Sequence, residues 1–179
     1  MKQLKAIVVA LVLVTSCGHQ EDGRVGRVDK SITTQVREST FSATLPGTWT
    51  REPGPEQGLT SFTDASALRR LTVSAYASRM RSLSQTASDS LQQFLEIVRS
   101  VDTQAPGDGV AIEAAVLVTV AGHEAAYYYG SGPDRSRRFF TLIVCTGQSV
   151  THFTYEALDV SEAVLREEVD VFMKSLETH

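Results

Sequence analysis

Cysteine is scarce in this chain. Of 179 residues only Cys17 and Cys145 are cysteines, so no disulfide framework staples the fold. Zinc ligands usually come as close pairs such as H-x3-H or C-x2-C. The four histidines, His19, His123, His152 and His179, form no such pair. Basic excess is also missing. Seventeen Lys and Arg against 21 Asp and Glu leave a formal charge of −4, the opposite of what a nucleic-acid-binding surface needs. Nor is there a G-x-S-x-G elbow, a P-loop, a G-x-G-x-x-G after a strand or an EF-hand loop. These absences exclude a nucleic-acid partner and leave hydrolytic, nucleotide and cofactor chemistry without support. No enzyme, no cofactor and no metal site is expected. A spatial pairing of His123 with His152 stays open at this level.

Long apolar runs are lacking too. A membrane-crossing helix needs about 20 apolar residues, whereas the run from Ala6 to Val14 has nine and polar residues follow it. That length suits the apolar region of a signal peptide. Lys2 and Lys5 precede it, and Val14-Thr15-Ser16-Cys17 closes it. The order resembles the lipobox of bacterial lipoproteins, in which the cysteine thiol is alkylated with diacylglycerol and the leader is removed. An ordinary secretory leader cleaved near Ser16 is the alternative. The resemblance implies three segments: a signal peptide over 1–16, a lipidated Cys17 with a flexible tether over 17–38, and a domain over 39–179. One acyl chain holds a protein only marginally, so the resemblance implies a multiply acylated Cys17, palmitate among its chains. Gly18 follows where an Asp would imply inner-membrane retention. The expected address is therefore the periplasmic face of an outer membrane, or the outer face of the plasma membrane in a host without one.

Loss of residues 1–16 removes Lys2 and Lys5 and no acid, taking the charge from −4 to −6. With Cys17 lipidated, Cys145 has no intramolecular partner. It lies in Phe139-Phe-Thr-Leu-Ile-Val-Cys145, which reads as a buried strand where a thiol acts as a small hydrophobe. A nucleophilic cysteine would want cationic neighbours and exposure.

Residues 18–38 read as a tether with a short edge strand around Ile32 to Val36, and about 20 flexible residues reach roughly 25 Å. Beyond it, Thr40 to Leu45, Leu59 to Thr63 and Arg70 to Ala77 alternate as strands. Leu71, Val73 and Ala75 share a face. Pro46-Gly47 marks a turn before Trp49, and a Pro/Gly loop runs from Pro53 to Gly58. Leu91, Phe94, Leu95 and Val98 then recur at helical spacing behind Thr86 or Ser88 as cap. Ile112 to Val120, Glu124 to Tyr129, Arg137 to Cys145 and Val150 to Glu156 follow with short glycine-bearing links. Such links fit an antiparallel meander, since parallel strands need crossovers. A last helix carries Leu165, Val169, Phe172 and Leu176 as its apolar stripe, with Asp159-Val-Ser-Glu162 as a capping box. Glu162, Glu167 and Glu168 favour its N-terminal end. The expectation is an α+β sandwich: an antiparallel sheet flanked by two amphipathic helices.

This pattern resembles the PsbP-like fold, shared by an extrinsic photosystem II subunit, a Ran-binding nuclear import factor of the Mog type and small bacterial envelope lipoproteins of the DcrB kind. Phe41-Ser-Ala-Thr-Leu45-Pro46-Gly47-Thr48-Trp49 is similar to the family's opening strand, proline turn and tryptophan. Val120-Ala-Gly122-His-Glu-Ala125 is similar to its turn between middle strands. Here Thr48 replaces the usual glycine before the tryptophan, with Gly47 one place earlier. The resemblance covers about residues 39–177 and implies an α/β/α sandwich with a non-catalytic binding or assembly role.

Three features could bear a partner. Arg135, Arg137 and Arg138 cluster at one hairpin and form a candidate interaction patch, and Arg79 with Arg81 makes a second basic loop. The plain reading of both is a charged strand end that blocks edge pairing. Tyr127-Tyr128-Tyr129 alternates across a strand, so at least one tyrosine is expected to be exposed, either stabilising the sheet or forming a contact patch. Ser131 in Gly130-Ser-Gly132 reads as turn geometry rather than a nucleophile. The sequence thus points to a lipid-anchored envelope protein that binds an unidentified envelope protein or assembles a complex. A carrier or sensor for a small apolar ligand is the alternative. A pre-formed apolar cavity beneath the last helix would favour the carrier. A filled core with an exposed apolar patch would favour protein binding.

Overall fold

The computed structural model describes residues 31–53, 59–66, 68–77, 109–133, 136–146 and 149–179. The leader, Cys17, Arg79, Arg81, Arg135 and the helix expected around Leu91 to Val98 lie outside the described residues. Eleven strands and one helix occupy the rest: β1 Thr33–Arg37, β2 Phe41–Pro46, β3 Trp49–Pro53, β4 Leu59–Asp64, β5 Arg69–Ala77, β6 Ala111–Ile112, β7 Val116–Val120, β8 His123–Ser131, β9 Arg137–Cys145, β10 Ser149–Leu158, α1 Glu162–Ser175 and β11 Glu177–Thr178. Among the described residues the domain is therefore mostly antiparallel sheet with a single helix.

Eight strands form the main sheet in the order β3-β4-β5-β10-β9-β8, with β6 and β7 both pairing the outer side of β8. The stretch expected as one strand from Ile112 to Val120 is broken at 113–115. Ala111 pairs Ser131 while Val116 pairs Tyr127, so the register slips by one residue across the break, as at a β-bulge. A second sheet, β1-β2-β11, is small. β1 pairs β2 along its whole length, from Thr33 opposite Pro46 to Arg37 opposite Ser42, so the edge strand expected within the tether belongs to the folded unit.

Alternation decides the layers. Leu71, Val73, Phe153, Tyr155, Ala157, Phe140, Leu142, Val144 and Ala125 all face the side that carries Leu165, Val169 and Phe172 of α1 together with Phe41, Ala43 and Leu45 of β2. Ala75, expected with Leu71 and Val73, is exposed near the end of β5. On the opposite side, Ala126, Tyr128, Phe139, Ile143 and Val150 make a second buried cluster. Aromatic edges lock the first layer: Phe41 meets Phe153 edge-on at 5.1 Å, and Phe153 meets Phe172 at 5.6 Å. Such pairs add about 0.5–1.5 kcal/mol beyond burial.

The Pro46-Gly47 turn works without a glycine at position 48. Gly47 takes φ 94°, a region open mainly to glycine, and its amide donates to the Ile32 carbonyl at 2.7 Å. Thr34 stitches the corner, its hydroxyl donating to the Gly47 carbonyl at 2.7 Å and accepting the Trp49 amide at 3.1 Å. Trp49 donates its indole N–H to the Pro46 carbonyl at 2.8 Å.

The expected capping box on Asp159 does not form. Asp159 lies at φ 54°, where its amide donates to the Ser136 carbonyl at 2.7 Å, and the cap passes to Ser161, whose hydroxyl accepts the Val164 amide. The apolar stripe of α1 is buried as expected through Leu165, Val169, Phe172 and Leu176. After it, β11 pairs Glu177 with Ser42 and Thr178 with Phe41, closing the chain onto its own first strands.

Candidate functional site

Two polar constellations stand out, and they differ in kind. The first is sealed. Arg69 at the start of β5 is 2% exposed and Glu168 on α1 is 0% exposed. The guanidinium donates from Nε and Nη2 to both carboxylate oxygens, at 2.7 and 2.8 Å. Tyr155 of β10 donates its hydroxyl to the same carboxylate at 2.9 Å, and Asp64 of β4 lies 3.8 Å from Arg69 Nη1. Burial, then the Glu168 charge and the bond to it, push the Tyr155 hydroxyl well above its usual pKa. The cluster ties α1 to three strands but has no opening to solvent through which a ligand would reach it. Its geometry is that of a structural clamp.

The second is open. A cleft of about 300 Å³ lies between the N-terminal turn of α1 and the β6–β8 edge, lined by Glu113, Tyr129, Gly130, Ser131, Arg138 and Glu162 among others. The bulge at 113–115 places Glu113 there, its amide donating to the Tyr129 carbonyl at 2.8 Å. Arg166, one turn into α1, bridges two of the lining carboxylates. It donates to both oxygens of Glu113 at 2.8 and 2.9 Å and to Glu162 at 2.9 Å, and its guanidinium sits 4.1 Å from the Tyr129 ring centre. The Glu113 hydrogen bond leads the causes that raise the Arg166 pKa. Burial pushes Tyr129 up to about 12, against the lowering field of Arg166. The cleft offers donors, acceptors and an aromatic wall with charges already balanced.

The arginine hairpin is divided by the pleat of β9. Arg137 is exposed, ion-paired with Glu156 and poised over the Phe139 ring at 5.7 Å. Arg138 turns to the helix side, donating to the Val160 carbonyl at 3.0 Å and approaching Glu162 at 3.8 Å. Of the two described arginines, Arg138 reaches the cleft and Arg137 does not. The tyrosine row alternates as expected, but none of the three is exposed: Tyr128 is 0% and Tyr129 9% accessible, and Tyr127 is half-buried against Tyr129 and Phe140. The reason is that both faces of β8 are covered by apolar clusters.

His123 and His152 do not meet. They lie on opposite faces of the sheet, with β9 between their strands. Among the described residues no group of three or more His, Cys, Asp or Glu is disposed to hold a metal ion. Cys145 is half-buried, and burial followed by the nearby Glu124 charge raises its pKa, the reverse of what a nucleophilic thiol requires. Ser131 is half-buried in the cleft wall. No helix among the described residues is long and apolar enough to cross a membrane.

Sequence reasoning missed both constellations. It read Glu168 only as an acid favouring the N-terminal end of the helix, although its spacing from Leu165 and Phe172 puts it on the buried stripe. A carboxylate there requires a buried cation, and that was the available signal. Glu113 and Arg166 are 53 residues apart, and nothing local marks their meeting.

No family model matches this sequence, and no curated protein matches it. Solved structures do. The cyanobacterial PsbP protein of Synechocystis sp. PCC 6803 superposes with a TM-score of 0.60 at 14% identity, covering 82% of this chain and 92% of its own. A mutant of the protein Mog1 gives 0.55 at 5% identity over 82% and 95%. LpqN, involved in cell envelope biogenesis of Mycobacterium tuberculosis, gives 0.54 at 15% identity over 82% and 90%. The fold is PsbP-like.

Proposed function

We propose that this protein is a lipid-anchored bacterial envelope protein whose PsbP-like domain is non-catalytic and acts in protein binding or complex assembly. The observation that carries the reading is the leader: a charged start, nine apolar residues and Val14-Thr15-Ser16-Cys17, ahead of a domain whose fold is similar to that of an envelope-biogenesis protein. Palmitate and diacylglycerol on Cys17 would supply the membrane contact, and the tether would carry the domain off the surface. The host decides whether that surface is an outer membrane or the outer face of the plasma membrane.

Two features support protein over small-ligand binding. The underside of α1 is filled, with Leu165, Val169 and Phe172 each at 2% exposure or less, and the open cleft is lined by Glu113, Arg138 and Glu162 rather than by apolar groups alone. Large aliphatic side chains stand exposed instead at Ile32, Val116, Leu117 and Leu158. Within the arginine hairpin, Arg137 is the described member that is solvent-exposed, and we assign it the partner contact.

Crosslinking of the full-length protein in its native envelope, followed by mass spectrometry, tests the reading. The expected result is one envelope protein joined near Arg137 or Glu113, with capture reduced by the charge reversals Arg137→Glu and Glu113→Lys. Recovery of a stoichiometric apolar small molecule with no crosslinked protein would favour the carrier instead.

A further inference from the structure

The two edges of the main sheet are built differently. At the β3 edge, Arg51, Glu52 and Pro53 follow one another, and Arg51 is ion-paired with Glu38 at 2.6 Å. Charges and proline are the ordinary devices that stop an edge strand from recruiting another. The β7 edge carries none of them. From Ala114 to Gly122 the chain contains no Asp, Glu, Lys, Arg or Pro, and among the described residues no strand pairs the outer side of β7. Val116 is 42% and Leu117 48% exposed. Being successive strand residues, they project to opposite faces, so the edge is apolar on both.

We propose that β7 pairs antiparallel with β7 of a second copy of this chain, about a two-fold axis through Val118. Opposed residues of an antiparallel pair share a face, so a two-fold axis normal to the sheet must set one residue against itself or lie between equivalent pairs. Centring on Val118 gives the longest uncharged overlap. Val116 then faces Val120 of the other copy and Leu117 faces Thr119. Beyond the strand, Ala115 and Ala114 approach the Ala121-Gly122 turn of the other copy, where the chain reverses into β8 on the inner side, so no charged residue enters the overlap. No carboxylate meets a carboxylate. Glu113 is moreover already neutralised by Arg166 at 2.8 Å, so its approach to the other copy carries no net repulsion. The pairing consumes both β7 edges, and the charged β3 edges cannot extend it, so assembly stops at two.

The test uses the full-length protein in its own membrane. Opposed Cα atoms in such a ladder lie about 4.5–5.5 Å apart, within the span of a disulfide. Val118→Cys should therefore give a reductant-sensitive species of twice the chain mass under mild oxidation. The wild-type protein, which also contains Cys145, should give none. Light scattering of the detergent-solubilised wild type should report two copies, and Leu117→Lys with Thr119→Lys should convert it to one copy without changing the melting temperature of the domain. A single-copy mass for the wild type, together with a folded Val118→Cys variant that stays uncrosslinked, would overturn the proposal. So would crosslinking of Val118→Cys to a different protein, or assemblies larger than two. These outcomes leave the envelope-binding role to be judged by its own crosslinking experiment.

Discussion

Gly130 of β8 and Phe139 of β9 are directly opposed, and the tip of the phenyl ring occupies the space a side chain at 130 would need. A Cβ built there would lie 2.2 Å from Phe139 Cζ and 2.7 and 2.8 Å from the ring's Cε atoms. The missing side chain lets the ring close the second core cluster beside Tyr128, whose ring it meets edge-on at 6.4 Å.

Gly130→Ala is therefore expected to destabilise the domain, in the range of about 1–3 kcal/mol typical of overpacking. Chemical denaturation measures it. Pairing the change with Phe139→Leu should return part of the loss, because the offending ring is gone.

The Arg69–Glu168 clamp gives a second expectation. Glu168→Gln leaves the buried Arg69 guanidinium with Asp64, at 3.8 Å, as its remaining counter-charge and should cost about 3–5 kcal/mol. Arg69→Met combined with Glu168→Leu should cost markedly less than the two single changes added together. Additive losses in the same denaturation series would show that the two residues are not coupled.

The strand pattern, the buried stripe of the C-terminal helix and the antiparallel meander were legible in the sequence because period-2 and period-3.6 apolar spacing report which face is covered. The opening of β2 was legible for the same reason, and its turn from Pro46-Gly47, where glycine supplies the positive φ. What stayed hidden was tertiary. β3 carries Arg51, Glu52 and Pro53, which argue locally against a strand, and it forms because Trp49 is anchored by Pro46 and packs on Tyr155 at 5.6 Å. β11 is two residues long and exists only because β2 waits for it. Glu113 and Arg166 were invisible as a pair, since a bulge and a helix turn have to be placed before the cleft exists.

Tyr129 sets a pH limit. Its hydroxyl is raised from the usual value near 10 to about 12 in the folded protein, so above pH 10 the unfolded chain releases this proton first. Fewer protons bound in the unfolded state means stability falls with rising pH. The contribution is intact below pH 10 and is lost as pH climbs through about 12. Tyr129→Phe should flatten that part of the stability–pH profile, measured by thermal melting between pH 9 and 12.

The β7–β8 hairpin turns through Ala121 at φ 50° and Gly122 at φ 80°, the two positive values of a type I′ turn. Alanine bears a steric penalty there that asparagine tolerates better. Ala121→Asn should stabilise the domain by about 0.5–1 kcal/mol, read as a higher melting temperature.

The proposed address rests on acylation of Cys17. The most direct measurement is the intact mass of the chain purified from its native membrane, with fragmentation of its N-terminus. Lipidation at Cys17 predicts a chain that begins at that residue and carries diacylglycerol and a further acyl group. A chain that retains residues 1–16, or one that bears an unmodified thiol at Cys17, would contradict it.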